Sequence, residues 1–118
     1  MGILVPRHEL ALSGYRAMWL FAMFDLPVDE PALRKEYSQF RKTLLKEGFT
    51  MLQYSVYVHY VASEEAEQAY RNRVHQALPS HGQVRLVSLT DRQFEKMEVY
   101  VGKKRERAED PPHQMMLF

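Results

Sequence analysis

The longest apolar run of the chain, residues 17–24, is the first structural signal along the sequence. A run of this length that ends at an acid and at Pro27 predicts a strand with both faces buried. Glu30 and Pro31 then have the composition of a helix start, and Gly48 lies where a left-handed C-cap would end the helix. Between them, apolar residues recur at the spacing of one helical face. These residues are Leu33, Tyr37, Phe40 and Leu44.

Residues 49–61 alternate between apolar and polar side chains, which predicts an extended segment. At about 3.3 Å per residue, this segment is too long for one straight strand in a small domain, so we expect a break near residues 53–55. The remaining predicted elements are a helix from Ser63 to about Leu78, a strand over 84–89, a short helical link over 90–96 and a last strand over 97–101.

The element order is β-α-β-β-α-β with an extra C-terminal strand, which predicts an α+β fold, the ferredoxin-like plait. We divide the chain into an N-terminal extension (1–15), the ferredoxin-like domain (16–102) and a flexible C-terminal tail (103–118). The tail is charged and contains prolines, yet it ends in the apolar residues 115–118. It is interpreted either as a disordered tail or as a docking peptide for a partner's groove or sheet edge.

The composition of the chain excludes several classes of protein. Cysteine is absent, which removes disulfides, thiol catalysis and thiolate metal sites and fits the reducing cytoplasm. The longest apolar run falls far short of the roughly 20 residues that span a bilayer, so we expect a cytoplasmic protein with no membrane partner. The sequence also contains no glycine-rich phosphate loop, no His-x-x-x-His pair and no nucleophile elbow.

Asp25, directly after the first apolar run, is the candidate for chemistry because aspartate is disfavoured inside a strand. One interpretation is that Asp25, or Asp29 just after it, only caps the following helix. The other is a metal site, because magnesium commonly takes one or two carboxylates and completes its octahedron with water and phosphate. A two-fold homodimer would supply a second Asp25, and two facing carboxylates repel unless a cation binds between them. Dimerisation would therefore turn a single acid into a symmetric Mg²⁺ site.

A basic stripe on the first predicted helix is the second candidate feature. Its members fall on the side opposite the apolar face of that helix. They are Arg34, Lys35, Arg41, Lys42 and Lys46. The stripe is either a solvated helix face or, doubled in a dimer, a pair of cationic strips for a nucleic-acid backbone. Such contacts would position DNA without reading its sequence.

Several short segments, by their order and spacing, resemble the CRISPR-associated protein 2 family. The first is Phe24-Asp25-Leu26-Pro27, and the closing Met115-Met116-Leu117-Phe118 is similar to the apolar tail of members from type II CRISPR systems. The other segments are residues 40–42, 48–57, 84–86 and 97–102. The resemblance covers roughly residues 16–102 together with the tail.

This resemblance implies a ferredoxin-like homodimer whose last strand crosses to the partner protomer. It implies a place between two dimers of the CRISPR integrase, CRISPR-associated protein 1, in the spacer-acquisition complex, where the dimer would hold double-stranded DNA. Family members are commonly described as magnesium-dependent endonucleases for RNA or DNA, and Asp25 matches the catalytic, metal-binding Asp after the first strand. Phe24 stands where the family often has Tyr, so this chain departs from the pattern there.

Three function classes therefore stand side by side. The first is a nuclease that uses Asp25 and Mg²⁺, and the second is an architectural bridge for DNA. The third is a stand-alone ribonuclease toxin or an RNA-binding ferredoxin-like module, which would expose strand aromatics for base stacking. The candidates for stacking are Tyr54, Tyr57 and Tyr60, of which Tyr54 and Tyr60 share a face with valines and are predicted to be core residues.

Overall fold

The computed structural model of the protein describes residues 17–112. Its elements follow the predicted order and confirm the α+β fold. They are β1 (Met18–Asp25), α1 (Pro31–Lys46), β2 (Thr50–Gln53), β3 (Val56–Val61), α2 (Glu64–Gln76), β4 (Gln83–Thr90), α3 (Asp91–Glu95), β5 (Val99–Val101) and β6 (Lys104–Glu106).

The main sheet has the strand order β2-β3-β1-β4, and all its neighbouring strands are antiparallel. This order is that of a ferredoxin-like plait, in which the two consecutive halves interleave around a central β1. The central place of β1 explains why its sequence is apolar without interruption, since a strand flanked on both edges and covered on both faces meets no solvent until it ends.

The two faces of the sheet carry separate apolar clusters. On the first, here called the helix face, Leu20 and Phe24 of β1 pack with Phe40 and Leu44 of α1. On the other, here called the second face, the alternate β1 residues pack with α3 and with the segment after β6. The members of this second cluster are Ala17, Trp19, Phe21, Val58, Tyr60, Phe94 and Ala108.

The predicted break in the long extended segment is confirmed, and it is a tight turn. Residues 54–55 join β2 to β3, and Ser55 has a φ of 63°, in the left-handed region. The carbonyl of Ser55 accepts a hydrogen bond from the backbone N–H of Phe24 at 3.1 Å. The turn is thereby tied to the last part of β1.

The last predicted strand exists, but it does not join the main sheet of the described chain. Strands β5 and β6 pair with each other in a separate two-stranded sheet, with Gly102 at the turn. Beyond them Ala108 and Pro111 are buried, so the packed part of the chain extends past residue 102, where the sequence places the domain boundary. Residues 113–118, the apolar end of the predicted tail, lie outside the described residues. Within residues 17–112, no helix is long and apolar enough to cross a membrane.

Candidate functional site

Asp25 is the last residue of β1, and its side chain is exposed. The helix-cap interpretation of this acid is wrong. The N-cap residue of α1 is Glu30, and no side-chain hydrogen bond caps that helix. Neither Asp25 nor Asp29 therefore satisfies the first N–H groups of α1, and the position of Asp25 needs another reason.

The backbone at Asp25 is held closely on one side by Gly82. Gly82 has a φ of +87°, and a Cβ atom at this residue would lie 2.7 Å from the carbonyl oxygen of Asp25. Only a residue without a side chain fits this conformation and this close approach. The start of β4 and the end of β1 are consequently fixed relative to each other.

The loop that leads to Gly82 is anchored to α1 by Glu36. One oxygen of the Glu36 carboxylate accepts from the Ser80 backbone N–H at 3.1 Å, and the other accepts from Ser80 Oγ at 2.8 Å. The hydrogen bond from the Ser80 hydroxyl holds the pKa of Glu36 below its usual value, and His81 adds to this effect. These contacts keep the loop in the conformation that brings Gly82 against Asp25.

Two polar residues of β4 share the second face with Asp25. Asp25 pairs with Gln83, and Met23 pairs with Arg85, so Arg85 is the diagonal neighbour of Asp25 on the same face. Arg85 is exposed, and its Nε donates to Gln83 Oε1 at 3.1 Å. Sequence reasoning missed both residues. The signal available was that β4 begins with polar residues at positions of the same parity as the apolar Val87 and Leu89.

The described chain does not by itself form a multidentate metal centre. No group of three or more His, Cys, Asp or Glu residues within residues 17–112 is placed to hold a metal ion. One exposed carboxylate nevertheless fits magnesium, which binds through one or two carboxylates and retains several waters. Asp25 is thus a suitable ligand, and a second protein ligand would have to come from another chain.

The basic stripe lies on the outer side of α1, on the opposite side of the sheet from Asp25. Lys35, Lys42 and Lys46 are exposed, whereas Arg41 is half-buried. Arg34 is exposed as well, but its Nη1 donates to the carbonyl of Val28 at 3.0 Å and so supports the loop before α1. The structure therefore separates the stripe from the acid within one protomer.

The expectation for the strand tyrosines is partly wrong. Tyr60 is buried as expected, but Tyr57 is only 1% exposed and Tyr54 is 76% exposed. The reason is that β3 is buried on both faces, whereas Tyr54 lies in the turn and stacks on Tyr37 with ring centroids 6.2 Å apart. The hydrogen bond between the two phenols raises the pKa of Tyr54. Of the three candidates, only Tyr54 could stack on a base.

The fold and the site together define a small ferredoxin-like protein with one acid at the end of its central strand. Residues 18–97 match the family model described as CRISPR associated protein Cas2, so the chain belongs to the Cas2 family. This result confirms the resemblance found in the sequence.

Curated relatives support the same assignment. The chain is 50% identical over 101 residues to the CRISPR-associated endoribonuclease Cas2 of Parvibaculum lavamentivorans, a match that covers 86% of this chain and 100% of that protein. It is 40% identical over 111 residues to the protein of the same name from Flavobacterium psychrophilum, with 94% of this chain and 96% of that protein covered. The corresponding protein of Paracidovorax avenae is 42% identical over 107 residues, with coverages of 91% and 99%.

The close approach at Gly82 generates a prediction about the site's rigidity. We expect Gly82→Ala to lower the free energy of unfolding by more than Gly102→Ala. Both substitutions carry the left-handed backbone cost of about 1–2 kcal/mol. Only Gly82→Ala adds overpacking of about 1–3 kcal/mol, because the Cβ atom at Gly102 would meet nothing within 4 Å. Urea denaturation of both variants measures the difference, and equal losses would show that the Gly82 contact is not a tight one.

Proposed function

We propose that this Cas2-family protein is a homodimeric subunit of the CRISPR spacer-acquisition complex with Mg²⁺-dependent endonuclease activity on RNA or DNA. In that complex the dimer bridges two integrase dimers, formed by CRISPR-associated protein 1, and holds foreign duplex DNA. The observation that carries the proposal is the exposed Asp25, fixed at the end of a strand that is otherwise buried.

The homodimer is supported by edges that the described chain leaves unpaired. Strand β4 is an eight-residue edge strand of the main sheet, and long free edges are normally covered in native proteins. The β5–β6 hairpin joins no strand of that sheet within residues 17–112, and Tyr100 and Val101 are 55% and 66% exposed. A hairpin that reaches the β4 edge of a second copy would cover both features at once, and this is the crossing of the last strand that the family resemblance implies.

In the proposed nuclease, Asp25 of each protomer holds the metal near the two-fold axis. The bound Mg²⁺ would lower the pKa of a coordinated water and stabilise charge that develops on the phosphoryl oxygens. The protein's own contribution is orientation, because Gly82 and the Ser55 carbonyl fix the backbone on either side of the acid. The exposed carboxylate needs no rearrangement to meet a solvated ion.

A second candidate function, a stand-alone ribonuclease, is favoured by the names of the relatives, which specify an endoribonuclease. Tyr54 at the tip of the β2–β3 turn, close to the end of β1, offers an exposed ring for an unpaired base. In this alternative the integrase and duplex DNA have no role, and Asp25 keeps its catalytic role.

The proposed nuclease predicts that Asp25→Ala abolishes Mg²⁺-dependent cleavage while the protein remains a folded dimer. Asp29→Ala, which removes another exposed acid from the same loop, is the matched control and should cleave normally. Cleavage of labelled RNA and DNA oligonucleotides and light scattering after gel filtration measure the two properties. Cleavage by purified Asp25→Ala at the wild-type rate would eliminate Asp25 as the catalytic residue, and a wild type that cuts neither substrate would leave the bridging role alone.

The DNA-bridging role predicts a specific salt dependence. Neutralising Lys35, Lys42 and Lys46 to Gln should flatten the slope of log K against log salt by about 0.9 for each duplex phosphate that the variant no longer neutralises. We leave Arg34 intact because it also supports the loop at Val28.

The control for this experiment carries the same change in charge at another place. Substitution of the exposed Lys96, Lys103 and Lys104 by Gln should change the slope much less. Both triple variants are titrated against duplex DNA over a range of salt, alone and with the integrase. Equal slopes for the two variants would mean that the stripe on α1 is only a solvated helix face.

A further inference from the structure

We infer that Arg85 is a phosphate-binding residue of the Asp25 site, where it holds the phosphodiester backbone of the nucleic acid that meets Asp25. This inference rests on the proposed nuclease function in naming the ligand, but it adds a residue that binds through a different chemistry from the acid. It is drawn from the register of β1 and β4, from the orientation of the guanidinium and from the surface around it.

The register places Arg85 at a distance suited to a shared ligand. Asp25 pairs with Gln83 and Met23 pairs with Arg85, which makes Asp25 and Arg85 diagonal neighbours on the second face. Backbone positions related in this way are about 7–8 Å apart, within reach of a long side chain. A carboxylate and a guanidinium at this separation can address one phosphate group together, the acid through a metal ion and the arginine directly.

The guanidinium of Arg85 is oriented without being consumed. Its Nε donates to Gln83 Oε1 at 3.1 Å, which fixes the plane of the group. No ion pair or hydrogen bond within the described part of the chain engages Nη1 or Nη2 of Arg85. These two nitrogens provide the fork of parallel donors that suits a phosphate, and a planar arginine is preferred over lysine for such contacts.

The surface around Arg85 is apolar rather than generally charged. On the second face it lies beside Met23 in the register, followed along β4 by Val87, which is partly exposed. An arginine isolated on an apolar sheet face, with no acid paired to it, is unlike the mixed charges of the solvated face of α1. Apolar neighbours also lower the local dielectric constant, which strengthens a charge-assisted hydrogen bond to phosphate.

A two-fold axis that brings the two Asp25 residues together also brings the two Arg85 residues to the same region. The cations would then flank the acids and guide a negatively charged strand toward the metal. They could also act simply as counter-ions for the two carboxylates, and in that case they would stabilise the dimer and bind no nucleic acid. The experiment must separate these two roles.

The test uses the full-length protein and four forms: the wild type, Arg85→Gln, Arg85→Lys and the control Arg92→Gln, which removes an exposed arginine from α3. Affinity for single-stranded RNA and for duplex DNA is measured without divalent metal, so that no cleavage is needed. We expect Arg85→Gln to bind the preferred strand about tenfold more weakly or worse, as for the loss of charge-assisted hydrogen bonds, with a salt slope flatter by about 0.7–0.9. Arg85→Lys should be intermediate, and Arg92→Gln should bind as the wild type does.

The outcomes separate this inference from the nuclease proposal. Equal affinity for Arg85→Gln and Arg92→Gln, or a wild type that binds neither probe, would overturn the role of Arg85. A loss of affinity that accompanies dissociation of the dimer in sedimentation would assign Arg85 to the interface as a counter-ion and would also overturn it. A wild type that binds but never cleaves, with the affinity difference retained, would refute the nuclease and leave Arg85 as a phosphate-binding residue.

Discussion

The burial of β1 on both of its faces is the constraint on which the rest of the structure depends. Its alternate side chains fill two separate apolar clusters, one under the helices and one under α3 and the segment after β6. Within residues 17–112 no polar or charged residue is buried, so an acid in this strand is tolerated only where the strand leaves the core. Asp25 occupies that point, and its exposure and fixed direction both follow from the burial of the residues before it.

The surroundings of Asp25 are organised by the backbone more than by side chains. Gly82 permits the close approach of β4, and the Ser55 carbonyl holds the other side of β1. Such a site presents one acid firmly and leaves the remaining ligands to water, to a nucleic-acid phosphate and to a second copy of the chain. This economy explains how a small member of the Cas2 family could combine a bridging role with a nuclease role.

The sequence predicted the features that depend on local periodicity. The buried strand, the Phe40 and Leu44 face of α1 and the break before β3 were all legible from apolar spacing. Arg85 was missed because its nearness to Asp25 depends on the register between two strands far apart in the chain, which alternation alone does not determine. Tyr57 was misjudged because a strand buried on both faces hides either parity, and Ala108 because a small residue in a charged segment gives no apolar signal.

The central claim is that two Asp25 carboxylates share one divalent ion on a dimer axis, and metal stoichiometry tests it most directly. Mn²⁺, a spectroscopic substitute for Mg²⁺, can be titrated into the full-length protein and followed by electron paramagnetic resonance. The account predicts one bound ion for every two chains, and none at the same concentrations in Asp25→Asn. One ion per chain, or binding that Asp25→Asn leaves unchanged, would contradict it.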